Sequence, residues 1–378
     1  MASMSEHLAA LRTEIEGWVR THLPQPWPSD TDAASWFAEL GKAGYSVPDW
    51  PTEHGGLGYS EEQAAVVRSV LAAYGAQLPT HHFVPITLIG PAIMTWGTAE
   101  QQERYLPGIA SGADMWCQLF SEPGAGSDLA SLATRAVAVD EGWLINGQKV
   151  WSSFASESRY GMLLARTDPE KPKNAGITCF LVDMETPGVT VRPLKQITGD
   201  EHFCEVFLEE VVLPEGSVLG AVDDGWRVAM TTLGAERSGL SETTDASGVA
   251  LAPVLALARE TGAWQNPEVR DRLAQLAAVE RALALTTQRT NGSITKLVLS
   301  ELSQRISELG FELAGARAAC WDGDTMPAEA HSLLDTRRLT IAGGTSEIQR
   351  NIIAERVLGL EREIDPYRGR PWRELPRG

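Results

Sequence analysis

The chain has 378 residues, enough for two or three domains, and its 43% hydrophobic content is that of a globular protein with large cores rather than a disordered one. A formal net charge of -18 excludes nucleic acid and anionic membrane surfaces as general partners, because both need a basic face. Any phosphate-bearing ligand must therefore be held by local donors.

From residue 5 to about 115 apolar residues recur at helical spacing, as in "LAALRTEIEGWVRTHL" and "SEEQAAVVRSVLAAYGAQL", with Pro- and Gly-rich breaks such as "VPDWPTEHGGLGYS". The N-terminus carries charges throughout and lacks an apolar core of signal-peptide length, so no signal peptide is expected, and no window approaches the roughly 18 uninterrupted apolar residues of a membrane span. Between about 116 and 220 the period changes. "RAVAVDEGWLINGQKVWSS" alternates, with turn signals at Asp140 to Gly142 and at Asn146-Gly147, and "GITCFLVDM", "VTVRPL" and "FCEVFLEEVVL" continue as short strands. From Gly225 to about Leu360 helical periodicity returns in "PEVRDRLAQLAAVERALALTTQR" and "ITKLVLSELSQRISELGFELAGARAA", the faces of an antiparallel bundle. The expected domains are 1–115, helical; 116–222, β; and 223–378, helical. The polar stretch after Glu361 is expected to be a surface extension.

The four cysteines, Cys117, Cys179, Cys204 and Cys320, stand far apart without CxxC or Cys/His pairing. They suggest neither a metal site nor a disulfide framework and fit a reduced, cytoplasmic setting.

Four stretches carry candidate chemistry. "TIAGGTSEIQRN", residues 340–351, reads as a strand or coil end, a Gly-Gly turn and a helix, with Ser346 and Gln349 at capping-box spacing. Such a turn can expose backbone N–H groups to an anion, although on this stretch alone an ordinary capped helix after a tight turn is the favoured reading. "QLFSEPGAGSD", residues 118–128, sets Gly124, Ala125 and Gly126 between the hydroxyls of Ser121 and Ser127, either a polar-ligand loop or a turn joining two domains. In "QKVWSSFA" the two-residue alternation puts Trp151 and Ser153 on one side of a strand, an aromatic cover with a hydroxyl beside it, or simply core. In "GWRVAMTTLGAERSGLSE" Glu236 falls on the apolar stripe of Ala229, Leu233 and Leu240. Burial there would raise its pKa toward that of a general base, unless a basic neighbour pairs with it.

These motifs, with "WPTEHGGLGYS", "GTAEQQERYLPGIASG", "EVFLEEVVLP" and "IIAERVLGL", occur in one order over nearly the whole chain. Together they resemble the acyl-CoA dehydrogenase family. The resemblance implies an α+β multi-domain fold: a helical N-terminal domain, a β-barrel-like middle domain and a C-terminal four-helix bundle, with FAD bound between the last two and at a subunit contact. It assigns Gln118, Ser121, Trp151, Ser153, Thr345 and Glu347 to the cofactor, Ser127 to both the cofactor and the pantetheine arm of an acyl-CoA, and Arg237 to the substrate.

Many family members carry a catalytic glutamate where this chain has Gly343. Another branch supplies the base from the helix that here carries "LGAERSGL", which matches Glu236, leaving the Gly343 N–H to hold the thioester carbonyl. The implied reaction is α,β-dehydrogenation to a 2-enoyl-CoA, with electrons passing to an electron-transferring flavoprotein. Two segments depart from the family pattern, "RETGAW" at 259–264 and "ELAGAR" at 312–317, where the family holds a neighbour's FAD, so the resemblance implies that this chain anchors a partner's FAD poorly. A homotetramer or a mixed tetramer with a related chain is expected. Two other readings keep the fold: a mainly structural subunit of a mixed tetramer, and a flavin monooxygenase or oxidase.

Overall fold

The computed structural model describes residues 4–23, 30–76, 80–242, 249–286, 289, 292–321, 323 and 325–376, with the backbone alone at 4, 5, 30–34, 80 and 236–242. Two compact units emerge. The first holds Met1–Pro193, His202–Thr232 and Gly369–Gly378; the second holds Leu194–Glu201 and Leu233–Arg368.

In the first unit, α1 (Met4–His22), α2 (Asp30–Lys42), α3 (Glu61–Ala73), α4 (Gly90–Trp96) and α5 (Ala99–Ser111) follow the helical periodicity. Leu11, Ile15 and Val19 on α1 pack with Trp36, Leu40, Val67 and Val70 in one buried cluster. Ser60 and Thr98 start α3 and α5 with complete capping boxes, their partners being Gln63 and Gln101.

The helix α6 (Gly225–Glu242) divides between the units. The second unit continues with α7 (Leu251–Glu260), α8 (Pro267–Thr286), α9 (Gly292–Ala314), α10 (Ala316–Ala319), α11 (Ala328–Asp335) and α12 (Ser346–Ile352). Leu251, Val254, Leu273, Leu276, Leu283, Leu302, Ile306 and Leu309 of α7, α8 and α9 form its core. Of the two readings of the stretch before the Gly-Gly turn, strand or coil end, the structure has the coil: Ile341 and Ala342 lie in a turn that follows a 3₁₀-helix, Thr336–Thr340. Its Thr336 hydroxyl bonds Ser307 on α9 at 2.9 Å, a side-chain tie that competes with strand pairing.

The strands of the first unit are β1 (Trp116–Leu119), β2 (Arg135–Val139), β3 (Gly142–Ser153), β4 (Tyr160–Arg166), β5 (Ile177–Asp183), β6 (Val189–Leu194), β7 (Phe203–Leu213) and β8 (Val218–Leu219). They form one sheet in the order β6-β7-β3-β2-β4-β5-β8, with β1 parallel to β4. Ile145, Leu163, Phe180, Val182, Val206 and Val211 fill its core.

The Asp140–Gly142 turn joins β2 to β3, but Asn146-Gly147 is no turn. It lies inside β3, where β7 carries an extra residue between Val211 and Leu208. The Asn146 Oδ1 accepts the N–H of Glu210, which adopts φ 52°. A Cβ at Gly147 would fall 2.4 Å from the Thr134 hydroxyl, so a close crossing, not a hairpin, requires this glycine. The polar stretch after Glu361 is largely exposed as expected, but Trp372 is half-buried against the first unit.

One buried ion pair joins β3 to the loop after β1. The fully buried Lys149 ammonium meets Glu122 Oε1 at 2.7 Å and donates to the Phe120 carbonyl at 3.1 Å. Glu122 also accepts the N–H groups of Ala133 at 2.7 Å and Thr134 at 2.9 Å. Burial alone would raise the Glu122 carboxyl, but Lys149 and these donors hold it below its ordinary value. Burial pulls Lys149 down to about 8 against the attraction of Glu122.

Replacing Glu122 with Gln leaves the Lys149 charge stranded, and urea unfolding should register a loss of about 3–5 kcal/mol. The double change Glu122→Gln, Lys149→Met removes both charges and should recover most of that loss. The pair also sets an acid limit. A carboxyl depressed in the fold adds stability that is present above its unfolded value, here 4.5, and is lost as pH falls through the lower folded value. Acid titration followed by circular dichroism should show this component in the wild type and not in the double variant.

Candidate active site

The loop after β1 is a tight turn fixed at its base. Glu122 and Ala125 exchange backbone hydrogen bonds at 3.1 and 3.0 Å, and the Ser121 carbonyl accepts the Val150 N–H at 2.9 Å. A Cβ at Gly124 or Gly126 would meet no atom within 4 Å, and neither residue has a left-handed φ. The fold itself does not demand glycine at either position, and their effect is to leave the backbone uncovered. Ser121 is half-buried, Ser127 is exposed, and Gln118 lies half-buried on β1 opposite Met162. Next to Ser127, Asp128 is held by Lys173 at 2.8 Å and by the Ser131 hydroxyl at 2.5 Å.

At the end of β3 the pleat is broken. Between the partners of Lys149 and Ser152 the strand carries one residue more than β7 does. Trp151 lies in this bulge at φ 61°, a left-handed conformation rare for a bulky residue, and its side chain is 61% exposed. The simple alternation that put Trp151 and Ser153 on one side therefore does not apply as written, because the bulge sets the direction of the indole. Around it Ser152 is buried and Ser153 half-buried. Phe203 meets the indole edge-on at 6.0 Å, and Phe154, also left-handed at φ 55°, donates its N–H to the His202 carbonyl at 2.7 Å. Such conformations cost on the order of 1–3 kcal/mol each, and here they hold a large ring out toward solvent.

In the second unit Gly343 and Gly344 form the expected turn, at φ 65° and 88°. The helix start is shifted from the sequence reading. Thr345, not Ser346, is the N-cap, and its hydroxyl accepts the Ile348 N–H at 3.2 Å. Gln349 does not close a capping box, because its amide turns back to the Gly343 carbonyl at 2.8 Å and the Gly344 carbonyl at 3.3 Å. Lys296, nearly fully buried on α9, donates to the carbonyls of Gly344 at 2.7 Å and Leu339 at 2.9 Å. Two buried side chains thus fix the turn's acceptors. Glu347 is exposed, its carboxyl lowered by its own backbone N–H and the Thr345 hydroxyl.

Glu236 and Arg237 are in α6, as expected, but their side chains lie outside the described residues. On the stripe that includes Glu236, Ala229 is buried and Leu233 half-buried. The two altered segments are wired within the chain: Arg259 lies over the Trp264 ring at 5.5 Å, Arg317 pairs with Glu260 at 3.1 Å, and Glu312 pairs with Arg272 at 2.5 Å.

Glu122, Lys149 and Lys296 escaped the sequence reading. A signal existed for two of them. Lys149 shares the parity of the buried Ile145 in β3, and Lys296 heads a helical stripe with Ser300, Ser303 and Ser307, all buried. Among the described residues no group of His, Cys, Asp and Glu is arranged to hold a metal ion, and no helix is long and apolar enough to cross a membrane.

Three family models match the chain in order: the acyl-CoA dehydrogenase N-terminal domain over residues 5–113, the middle domain over 117–211 and the C-terminal domain over 223–358. Acyl-CoA dehydrogenase FadE34 of Mycobacterium tuberculosis is 42% identical over 337 residues, which cover 85% of this chain and 46% of that protein, so the chain spans about half of this relative's length. Acyl-CoA dehydrogenase IpdE1 of the same organism is 40% identical over 377 residues, covering 93% of this chain and 97% of its own. The solved Tcur3481-Tcur3483 steroid ACAD superposes with a TM-score of 0.81 at 29% identity, over 95% of this chain and 98% of that one. The chain belongs to the acyl-CoA dehydrogenase family of oxidoreductases.

Proposed function

We propose that the protein dehydrogenates an acyl-CoA thioester between its α- and β-carbons, with FAD as cofactor and an electron-transferring flavoprotein as acceptor. The observation that carries the reading is Trp151, a large ring held out of the core on a strained bulge, with the Ser153 hydroxyl two residues on. That arrangement fits one face of a flat heterocycle, with Ser121 and Gln118 supplying polar groups from the neighbouring strand and loop. Thr345 and Glu347 are further FAD contacts in this reading. FAD supplies the hydride acceptor for the β-carbon.

This chain's own residues do the rest. Glu236 takes the α-proton, since the Gly-Gly turn has no carboxylate to offer. The Gly343 N–H donates to the thioester carbonyl, where negative charge develops as the proton leaves. Lys296 and Gln349 anchor the carbonyls of that turn, so its N–H groups need little reorganisation. Ser127 and Arg237 hold the CoA portion. A steroid-derived acyl group is supported by the similarity to a steroid ACAD, and a fatty acyl group is the competing class.

The occupied groups of 259–264 and 312–317 support a mixed tetramer, in which this subunit offers little to a partner's FAD. A predominantly structural role in such an assembly is the second reading, and the helix-borne Glu236 weighs against it.

Cofactor released from the purified protein should have the mass of FAD; only FMN, or no flavin in any oligomeric form, would sink the reading. Light scattering on the flavin-loaded protein should give a tetramer, alone or with a related chain, and an active flavin-saturated monomer would contradict it. Glu236→Gln should keep its flavin while turnover falls by ~10²- to 10⁴-fold, the usual effect of losing a general base. Near wild-type turnover in that variant would move the search to Glu242 or to a partner's carboxylate.

A further inference from the structure

Residues 369–376 do more than cover the surface. The Trp372 N–H donates to the Lys171 carbonyl at 2.8 Å and the Arg373 N–H to the Pro169 carbonyl at 3.2 Å. Arg373 also pairs with Glu170 at 2.8 Å. The segment is thereby laid along the 169–172 turn. From it the Trp372 ring reaches over the Arg166 guanidinium at 4.8 Å, and the indole N–H donates to the Ser131 carbonyl at 3.3 Å.

Arg166 is only 3% exposed. Its guanidinium donates to the carbonyls of Ala130 at 2.7 Å, Leu132 at 3.3 Å and Lys173 at 2.6 Å, while the Lys173 ammonium holds Asp128. The Ala130 and Leu132 carbonyls belong to the short helix after Ser127 and Asp128, Leu129–Ser131, and to its C-cap, and the Lys173 carbonyl to the turn from which its side chain braces Asp128. Beyond its three carbonyl acceptors, Arg166 makes no salt bridge among the described residues; the Trp372 indole face covers it, and Glu122, Asp168 and Asp223 act on it only from a distance. Without the ring, water gains access to the guanidinium, and solvation competes with the carbonyls that fix 130–132.

We propose that Trp372 is a positioning residue for acyl-CoA binding: it seals Arg166, and through Arg166 it fixes the 127–132 segment that presents Ser127 to the CoA arm. The inference rests on the assignment of Ser127 to acyl-CoA made above. Trp372 touches neither substrate nor cofactor in it. It acts on affinity, not on the chemical step.

The test uses the full-length, flavin-loaded protein with free coenzyme A as probe. Trp372→Ala should speed amide hydrogen exchange in peptides covering 127–134 and leave the C-terminal bundle unchanged. Its Kd for coenzyme A by calorimetry should rise roughly tenfold, the scale of a lost desolvated cation–π contact. Turnover at saturating acyl-CoA and flavin content should stay at wild-type levels, so that KM moves and kcat does not. Trp372→Phe retains the ring and should restore exchange and affinity; Arg373→Ala, which loosens the segment without removing the ring, should give an intermediate effect. Unchanged exchange in Trp372→Ala overturns the proposal, as does faster exchange with an unchanged Kd. A wild-type protein that does not bind coenzyme A refutes the acyl-CoA reading itself, an outcome separate from either of these.

Discussion

The buried pair of Glu122 and Lys149 is the constraint on which the first unit's site depends. Glu122 sits at the base of the glycine loop and Lys149 at the base of the bulge that carries Trp151, so one contact of 2.7 Å registers the two. Its energetics are those of a local clamp. Two charges taken out of water contribute little net stability, but removing one of them is severe, so the arrangement favours a single geometry over its alternatives. The two backbone amides that Glu122 accepts extend the clamp to the start of β2. Loop, bulge and the start of β2 are set together.

The second unit fixes its turn through backbone carbonyls. Lys296 and Gln349 hold the carbonyls of the Gly-Gly turn from opposite sides in sequence, one from α9 and one from α12. Glycine supplies the left-handed conformations at 343 and 344, and the two side chains remove the freedom that glycine would otherwise keep. A turn built this way needs no side chain at position 343 to keep its shape. Its backbone geometry is maintained from outside the turn.

How much of this could be read from residues alone divides along a physical line. Regular helices and strands were legible because burial imposes a period, as in α3, where Ala64, Val67, Val70 and Leu71 are buried, and in β7 from Phe203 to Leu208, where alternate residues are buried. Family membership was legible from several motifs in register. The failures lie where one residue breaks a period or one side chain finds an unexpected partner. Asn146-Gly147 has the composition of a hairpin turn, yet Asn146 satisfies an amide on β7 and the strand runs through. Ser346 and Gln349 have capping spacing, but Gln349 is claimed by two carbonyls and Thr345 takes the cap. The bulge at Trp151 leaves no local mark, because the extra residue is defined only against the partner strand. Polar composition near Trp372 signalled exposure correctly for most of its stretch and concealed one aromatic anchor.

The burial of Lys149 and Lys296 has a further chemical consequence. Thioesters acylate amines without any enzyme, and a lysine whose ammonium is shifted toward neutrality, as Lys149 is, would be an efficient nucleophile if it were reachable. Neither side chain is reachable: Lys149 is fully enclosed, Lys296 is 3% exposed, and each ammonium is engaged by backbone carbonyls. In a family that handles acyl thioesters, enclosure turns potentially self-modifying amines into inert structural cations.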